Sequence, residues 1–222
     1  MHKSILNLNS VKNEIEKENI NVKNTKIIAI SKTFSIKDIL PLIEHGHNHF
    51  GENKIQESLE KWPEVKKKNE NLKLHFVGKL QTNKVKFVIP LFDYIHSLDS
   101  LKLAKKISLQ QIKVNFKPKI FIQVNVGEEI QKNGILIDEL EPFINQCKKN
   151  LDLNIVGLMC IPPNDENTEK YFTKMETLNN EFGFQELSMG MSNDYLLALK
   201  LGSTFIRIGT KIFGKRDNEI NF

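Results

Sequence analysis

Arginine and cysteine are nearly absent from this chain, with two of each among 222 residues. The arginines are Arg207 and Arg216, so the formal net charge of +5 is carried by lysine. Base and phosphate readout in nucleic acids leans on arginine. Here the lysines are spread along the chain and interleaved with glutamate, as in "EVKKKNENLK", which describes solvated helix faces rather than a binding stripe. No nucleic-acid partner is expected. Cys147 and Cys160 are too few for a disulfide framework and lack metal-ligand spacing. No apolar run approaches the roughly eighteen residues of a membrane span. The opening "MHKSILNLNSVKNEIEKENI" has neither an apolar h-region nor a small-residue cleavage site, so no secretory leader is expected and the cytoplasm is the default. No linker rich in Gly, Ser or Pro divides the chain, and a single domain over 1–222 is the expectation.

What the sequence does contain is a repeated rhythm. Apolar, strand-like runs fall at 26–31, 47–51, 74–78, 94–98, 120–125, 155–161, 187–190 and 205–209. Helical spacing separates them. "SLDSLKLAKKISLQQI" places Leu101, Ala104, Ile107 and Ile112 on or near one face, and "NTEKYFTKMETLNNEF" does the same with Phe172, Met175, Leu178 and Phe182. The helix after the first strand starts near Ser35 or Asp38, keeps Pro41 in its early turns and ends before Gly46. Eight strands alternating with helices in about 200 residues predict a compact (β/α)8 barrel of the TIM type. An open, doubly wound sheet is the competitor, since periodicity does not report closure. The barrel would occupy 26–214, after an N-terminal helix in 1–25 and before a tail at 215–222.

The polar and glycine residues at the C-terminal strand ends favour the barrel, because barrel sites are built on that rim. The first run, "IIAISKTFS", ends on Lys32 between Ser31 and Thr33. A solvated strand end is the plain reading, and a reactive amine facing a pocket is the sharper one. In "LSMGMSND" Ser192 stands where a helix begins, which an ordinary N-cap would also explain. In "FIRIGTKIFG" Gly209 and Thr210 close the last apolar run and offer N–H groups and a hydroxyl. Together the two stretches form a phosphate cup after strands seven and eight. Arg207 lies inside an apolar run, where a charge needs a partner. That partner is either a neighbouring carboxylate or a ligand at the barrel mouth.

A Schiff-base lysine, a phosphate cup and an inward arginine suit pyridoxal 5′-phosphate. The stretches "AISKTFS", "HFGENKIQE", "LHFVGKLQTNKVK", "IHSLDSLKLA", "IQVNVGEEIQKNG", "VGLMCIPP" and "ELSMGMSNDYLLALKLGSTFIRIGTKIFG" closely resemble the pyridoxal phosphate homeostasis protein family, in order and over most of 26–214. The resemblance implies a barrel like the N-terminal domain of alanine racemase, a monomer, and cofactor held on Lys32 as an internal aldimine. It further implies that Asn53 lines the cofactor ring, that Ser192, Gly209 and Thr210 hold the phosphate, and that Arg207 faces the pyridine nitrogen. The implied role is cofactor homeostasis and carriage without catalytic turnover, with pyridoxal-phosphate-dependent apo-enzymes as candidate partners.

The residues support that role. An arginine can only donate to the ring nitrogen, which leaves the ring a poorer electron sink than one paired with an aspartate. The chain ends at "GKRDNEINF", so no second, β-rich domain is expected to supply a racemase's tyrosine. No motif places Tyr94, Tyr171 or Tyr195 as a base. The alternative is a cofactor-dependent amino-acid enzyme of racemase or decarboxylase type, for which His75 and His96 are the candidate proton-transfer groups. A Schiff-base aldolase acting on sugar phosphates is the third reading. "HGHNH" at 45–49 has no completing carboxylate or cysteine, so no metal is expected.

Overall fold

The computed structural model describes residues 1–20, 25–129 and 131–214, so the expected tail at 215–222 lies outside the described residues. Eight short strands hydrogen-bond in sequence order: β1 (Lys26–Ile30), β2 (His49–Glu52), β3 (Lys73–Phe76), β4 (Tyr94–Leu98), β5 (Lys119–Gln123), β6 (Ile155–Met159), β7 (Glu186–Met191) and β8 (Phe205–Ile208). All pairs are parallel, and β8 returns to β1 with Ile28 opposite Arg207. That last pairing decides between a barrel and an open sheet. Strands covered on both faces read as nearly continuous apolar runs, which is why all eight were visible in the sequence.

The helices are α1 (Lys3–Lys17), α2 (Ile36–Glu44), α3 (Ile55–Lys61), α4 (Pro63–Lys68), α5 (Val85–Val88), α6 (Leu101–Val114), α7 (Leu140–Asn145), α8 (Thr168–Glu181), α9 (Tyr195–Lys200) and α10 (Thr210–Phe213). Among the described residues, none is long and apolar enough to cross a membrane. At the start of α2, the Asp38 carboxylate accepts from the Ser35 N–H at 3.0 Å and the Ser35 hydroxyl at 2.6 Å. Its end is a glycine stop: Gly46 has φ 86°, and the N–H groups of Gly46 and His47 donate back to Ile43 and Leu42. This is the paired 5→2 and 6→1 closure of a Schellman turn. It takes His47 into the helix stop, so β2 begins at His49, two residues later than the apolar run predicts.

The buried face of α6 differs from the expected one. It consists of Leu103, Ala104, Ile107 and Gln111, while Leu101 is exposed and Ile112 is 72% exposed. Gln111 takes the inward place because its amide donates to the Asp152 carbonyl at 3.0 Å, a bond an isoleucine cannot make. In α8, Phe172, Met175 and Leu178 are buried as expected, with Phe182 half-buried as the cap.

One apolar cluster lies between helices and sheet; a second, of Ile28, Tyr94, Phe121, Met159 and Phe205, fills the barrel. Each such large side chain contributes about 1.5–3 kcal/mol on burial. Outside the barrel, α1 buries Leu8, Val11 and Ile15. Its Glu14 carboxylate accepts from the Tyr195 hydroxyl of α9 and from Lys211 of α10, and Asn7 donates to the Ile212 carbonyl at 2.8 Å. The first helix therefore latches the two helices that follow β7 and β8.

Candidate functional site

The C-terminal strand ends open on a cavity of about 700 Å³, within the range of small-molecule sites. Lys32, Asn53, Ser192, Arg207, Gly209 and Thr210 all line it. Four separate strand ends thus bring six residues from four distant parts of the sequence to one space.

Lys32 is half-buried in the turn after β1. The next residue, Thr33, has φ 71°, a left-handed conformation that is costly for a β-branched side chain. Its N–H donates to Glu57 Oε1 at 2.6 Å. Lys61 secures that carboxylate at 2.8 Å while also donating to Glu52 Oε1 and the Ser31 carbonyl, each at 2.9 Å. Glu52 is fully buried and accepts further from the Ser31 hydroxyl at 2.7 Å and the Trp62 indole N–H at 3.0 Å. An ionic cluster beneath the turn therefore fixes the backbone on both sides of Lys32. Sequence reasoning missed Glu52, Glu57 and Lys61. The available signals were a carboxylate closing an apolar strand in "HFGE" and the i,i+4 spacing of Glu57 and Lys61.

Asn53 is seated by Gly78. A β-carbon at that glycine would come within 2.3 Å of the Asn53 carbonyl oxygen. The side-chain Oδ1 of Asn53 is buried and has no hydrogen-bond partner among the described residues. Asn53 also lines the cavity.

Arg207 is only 5% exposed. Among the described residues it forms no close ion pair, although the Asp194 carboxylate on the same cavity acts on its charge. Its Nη1 donates to Ser188 Oγ and its Nη2 to the Cys160 carbonyl, both at 2.8 Å. Burial pulls its pKa below the ordinary arginine value, yet a guanidinium keeps its proton and carries five N–H donors. Two bonds leave donors for the cavity it lines.

Ser192 is not a helix cap. It lies in the turn 192–194, and the N-cap of α9 is Asp194, whose Oδ1 accepts from the Met191 N–H at 2.6 Å. The carboxylate sits at the cap position itself and leaves the serine free to face the neighbouring turn. There the Thr210 hydroxyl donates to Ser192 Oγ at 3.2 Å, joining the ends of β7 and β8. Gly209 caps α10, its carbonyl accepting from the Ile212 and Phe213 N–H groups.

The sequence candidates for acid–base work lie elsewhere. His75 and His96 are fully buried inside the barrel. Tyr94 stacks on His75, Tyr171 donates to Asp165, and Tyr195 donates to Glu14. In "HGHNH", His45 caps α2, His47 bonds the His49 carbonyl, and His49 points toward His75.

The closed parallel barrel is the architecture of the alanine racemase N-terminal domain, and the model of that family matches residues 6–217. An alanine racemase from Clostridium difficile 630 shares the fold with a TM-score of 0.73 at 16% identity, over 97% of this chain and 57% of that one. Within that class, the chain belongs to the pyridoxal phosphate homeostasis protein family. The protein of that name from Pasteurella multocida (strain Pm70) is 38% identical over 202 residues, covering 86% of this chain and 87% of its own. The solved structure of PipY from Synechococcus elongatus PCC7942 with pyridoxal phosphate bound superposes with a TM-score of 0.85. It is 31% identical, over 95% of this chain and 100% of that one.

Proposed function

We propose that this chain binds pyridoxal 5′-phosphate in the rim cavity, covalently through Lys32, and acts in cofactor homeostasis and carriage without catalytic turnover. The observation that carries the reading is the convergence of an amine, an amide side chain, a guanidinium bonded to neutral acceptors and two coupled hydroxyl turns on one cavity. These groups fit the cofactor. Its aldehyde is the electrophile, and the amine of Lys32 condenses with it to release one water and leave an imine. Arg207 donates to the ring nitrogen, Asn53 meets the ring, and Ser192, Gly209 and Thr210 receive the phosphate. We read the protein as a single, monomeric, cytoplasmic domain whose recipients are pyridoxal-phosphate-dependent apo-enzymes.

Two features support a role without turnover. The cation at Arg207 keeps the ring nitrogen unprotonated, which weakens carbanion stabilisation. Of the described side chains lining the cavity, Lys32 and Asp194 are the ones able to transfer protons, and the Asp194 carboxylate is engaged by the Met191 N–H. The test is the absorbance spectrum of purified protein loaded with the cofactor, before and after borohydride reduction, with peptide mapping. Label on Lys32 is expected; label solely on another lysine, such as Lys79 or Lys84, overturns the site. The loaded protein incubated with L-amino acids in deuterated water is expected to leave their Cα protons unexchanged. Rapid, stereospecific deuterium uptake would replace carriage with catalysis.

A further inference from the structure

Beneath the cavity runs a line of polar groups through the middle of the barrel. His49 Nδ1 lies 2.8 Å from His75 Nε2, and His75 Nδ1 lies 2.9 Å from His96 Nε2. His96 Nδ1 lies 2.9 Å from Ser188 Oγ, which accepts from Arg207 Nη1. His75, His96 and Ser188 are 0% exposed. The rings are clamped by aromatic faces: His75 stacks on Tyr94 at 4.3 Å and 14°, and His96 on Phe121 at 4.4 Å and 20°. Burial lowers the pKa of all three histidines, to about 4 for His49 and well below the ordinary value for the other two. Each ring is therefore neutral, with one donor and one acceptor.

That constraint gives the line a direction. Arginine has no acceptor, so Ser188 Oγ must present a lone pair to it. The serine proton then needs an acceptor, and among the described residues His96 Nδ1 is the group within reach. With Nδ1 accepting, the His96 proton is on Nε2 and donates to His75 Nδ1; the same step repeats from His75 Nε2 to His49 Nδ1. Running the line the other way would leave the Ser188 hydroxyl proton buried without a partner, at the cost that attends any such group. Every acceptor nitrogen therefore faces Arg207, and every N–H faces the barrel floor, where the charges of Lys26, Lys73, Lys119 and Asp93 act on His49.

We propose that Ser188, His96, His75 and His49 are positioning residues, a one-way hydrogen-bond row that turns lone pairs toward Arg207 and thereby aims its remaining N–H donors at the ring nitrogen of the bound ligand. The proposal rests on the reading that Arg207 faces that nitrogen. It explains why three imidazoles occupy barrel positions that would otherwise hold aliphatic side chains: the row gives a cation that forms no ion pair among the described residues a set of oriented neutral acceptors, and the carboxylate that acts on its charge, Asp194, lies at the cavity rather than in the row.

Two measurements test it. The first needs no ligand. Long-range 15N–1H spectra of histidine-labelled protein at neutral pH are expected to show His49, His75 and His96 neutral, each protonated on Nε2. A proton on His96 Nδ1, or an imidazolium at His75 or His96, overturns the row. The second compares pyridoxal 5′-phosphate with its 1-deaza analogue, in which a CH replaces the ring nitrogen. Ser188→Ala is expected to weaken the parent compound about tenfold, the scale of a charge-assisted hydrogen bond, and to change the analogue less than about twofold. Equal losses for both compounds, or no loss for either, overturn the positioning role. A wild-type protein that binds neither compound overturns the proposed function instead, and with it the aim of the row, whereas the ring spectra still judge its direction.

Discussion

Thr33 and Glu57 meet through a single 2.6 Å hydrogen bond, the threonine N–H donating to the carboxylate, and this bond holds Thr33 at a φ of 71° beside Lys32. Removing the acceptor releases the turn. Glu57→Ala is expected to cost about 1–2 kcal/mol of stability and to slow cofactor attachment at Lys32, because the amine loses its fixed mounting. Urea denaturation and the time course of absorbance on loading check the two parts. An unchanged loading rate would show that the turn holds itself.

Gly78 lies against the backbone of Asn53, with no room for a side chain. Gly78→Ala is expected to push Asn53 off the cavity wall, costing about 1–3 kcal/mol as an overpacking change and weakening the cofactor by more than Asn53→Ala does. Titrations of the two variants, side by side, decide the order.

The barrel and five of the six cavity residues were legible for a physical reason, whereas Asn53 was reached through the family resemblance. Strands buried on both faces leave uninterrupted apolar runs, and residues such as Lys32 and Arg207 stand out against them. The supporting groups were not legible in the same way. Glu52, Glu57 and Lys61 act through contacts among β1, β2 and α3, and a charged residue after a strand looks the same whether it faces water or an internal cluster. Gln111 displaced Ile112 from the buried face of α6 for a loop carbonyl 41 residues away, which no helical period encodes. The histidines were visible singly, but their alignment depends on the register of β2, β3, β4 and β7.

Acid should unfold this protein earlier than its carboxylates alone would require. Burial holds His47, His49, His75 and His96 below their ordinary pKa, so the unfolded chain takes up protons that the folded chain refuses. Stability is complete above about pH 6.5 and falls as the pH drops below it, by about 1.4 kcal/mol per unit for each ring. Denaturation midpoints across pH 4.5 to 7.5 measure the slope. His75→Phe is expected to lower the slope by one ring's share, and an identical slope in that variant would exclude the ring as a source.

The phosphate cup predicts a preference among vitamers. Pyridoxal 5′-phosphate is expected to bind much more tightly than pyridoxal, since hydroxyl and N–H donors are matched to a dianion. The double variant Ser192→Ala, Thr210→Val should remove most of that difference while leaving pyridoxal itself little changed. Equal affinity of the wild-type protein for both vitamers would take the cup out of the site.

The latch between α1 and the helices after β7 and β8 makes the start of the chain a party to events in the cavity. Glu14 holds Tyr195 and Lys211, three residues after Ser192 and one after Thr210. Free-energy coupling is reciprocal: an occupant that steadies those two turns steadies α1 by the same factor, and whatever pries α1 away loosens the occupant equally. The protection of α1 amides from hydrogen exchange is therefore expected to rise when the cavity is filled, although no atom of the helix lines it.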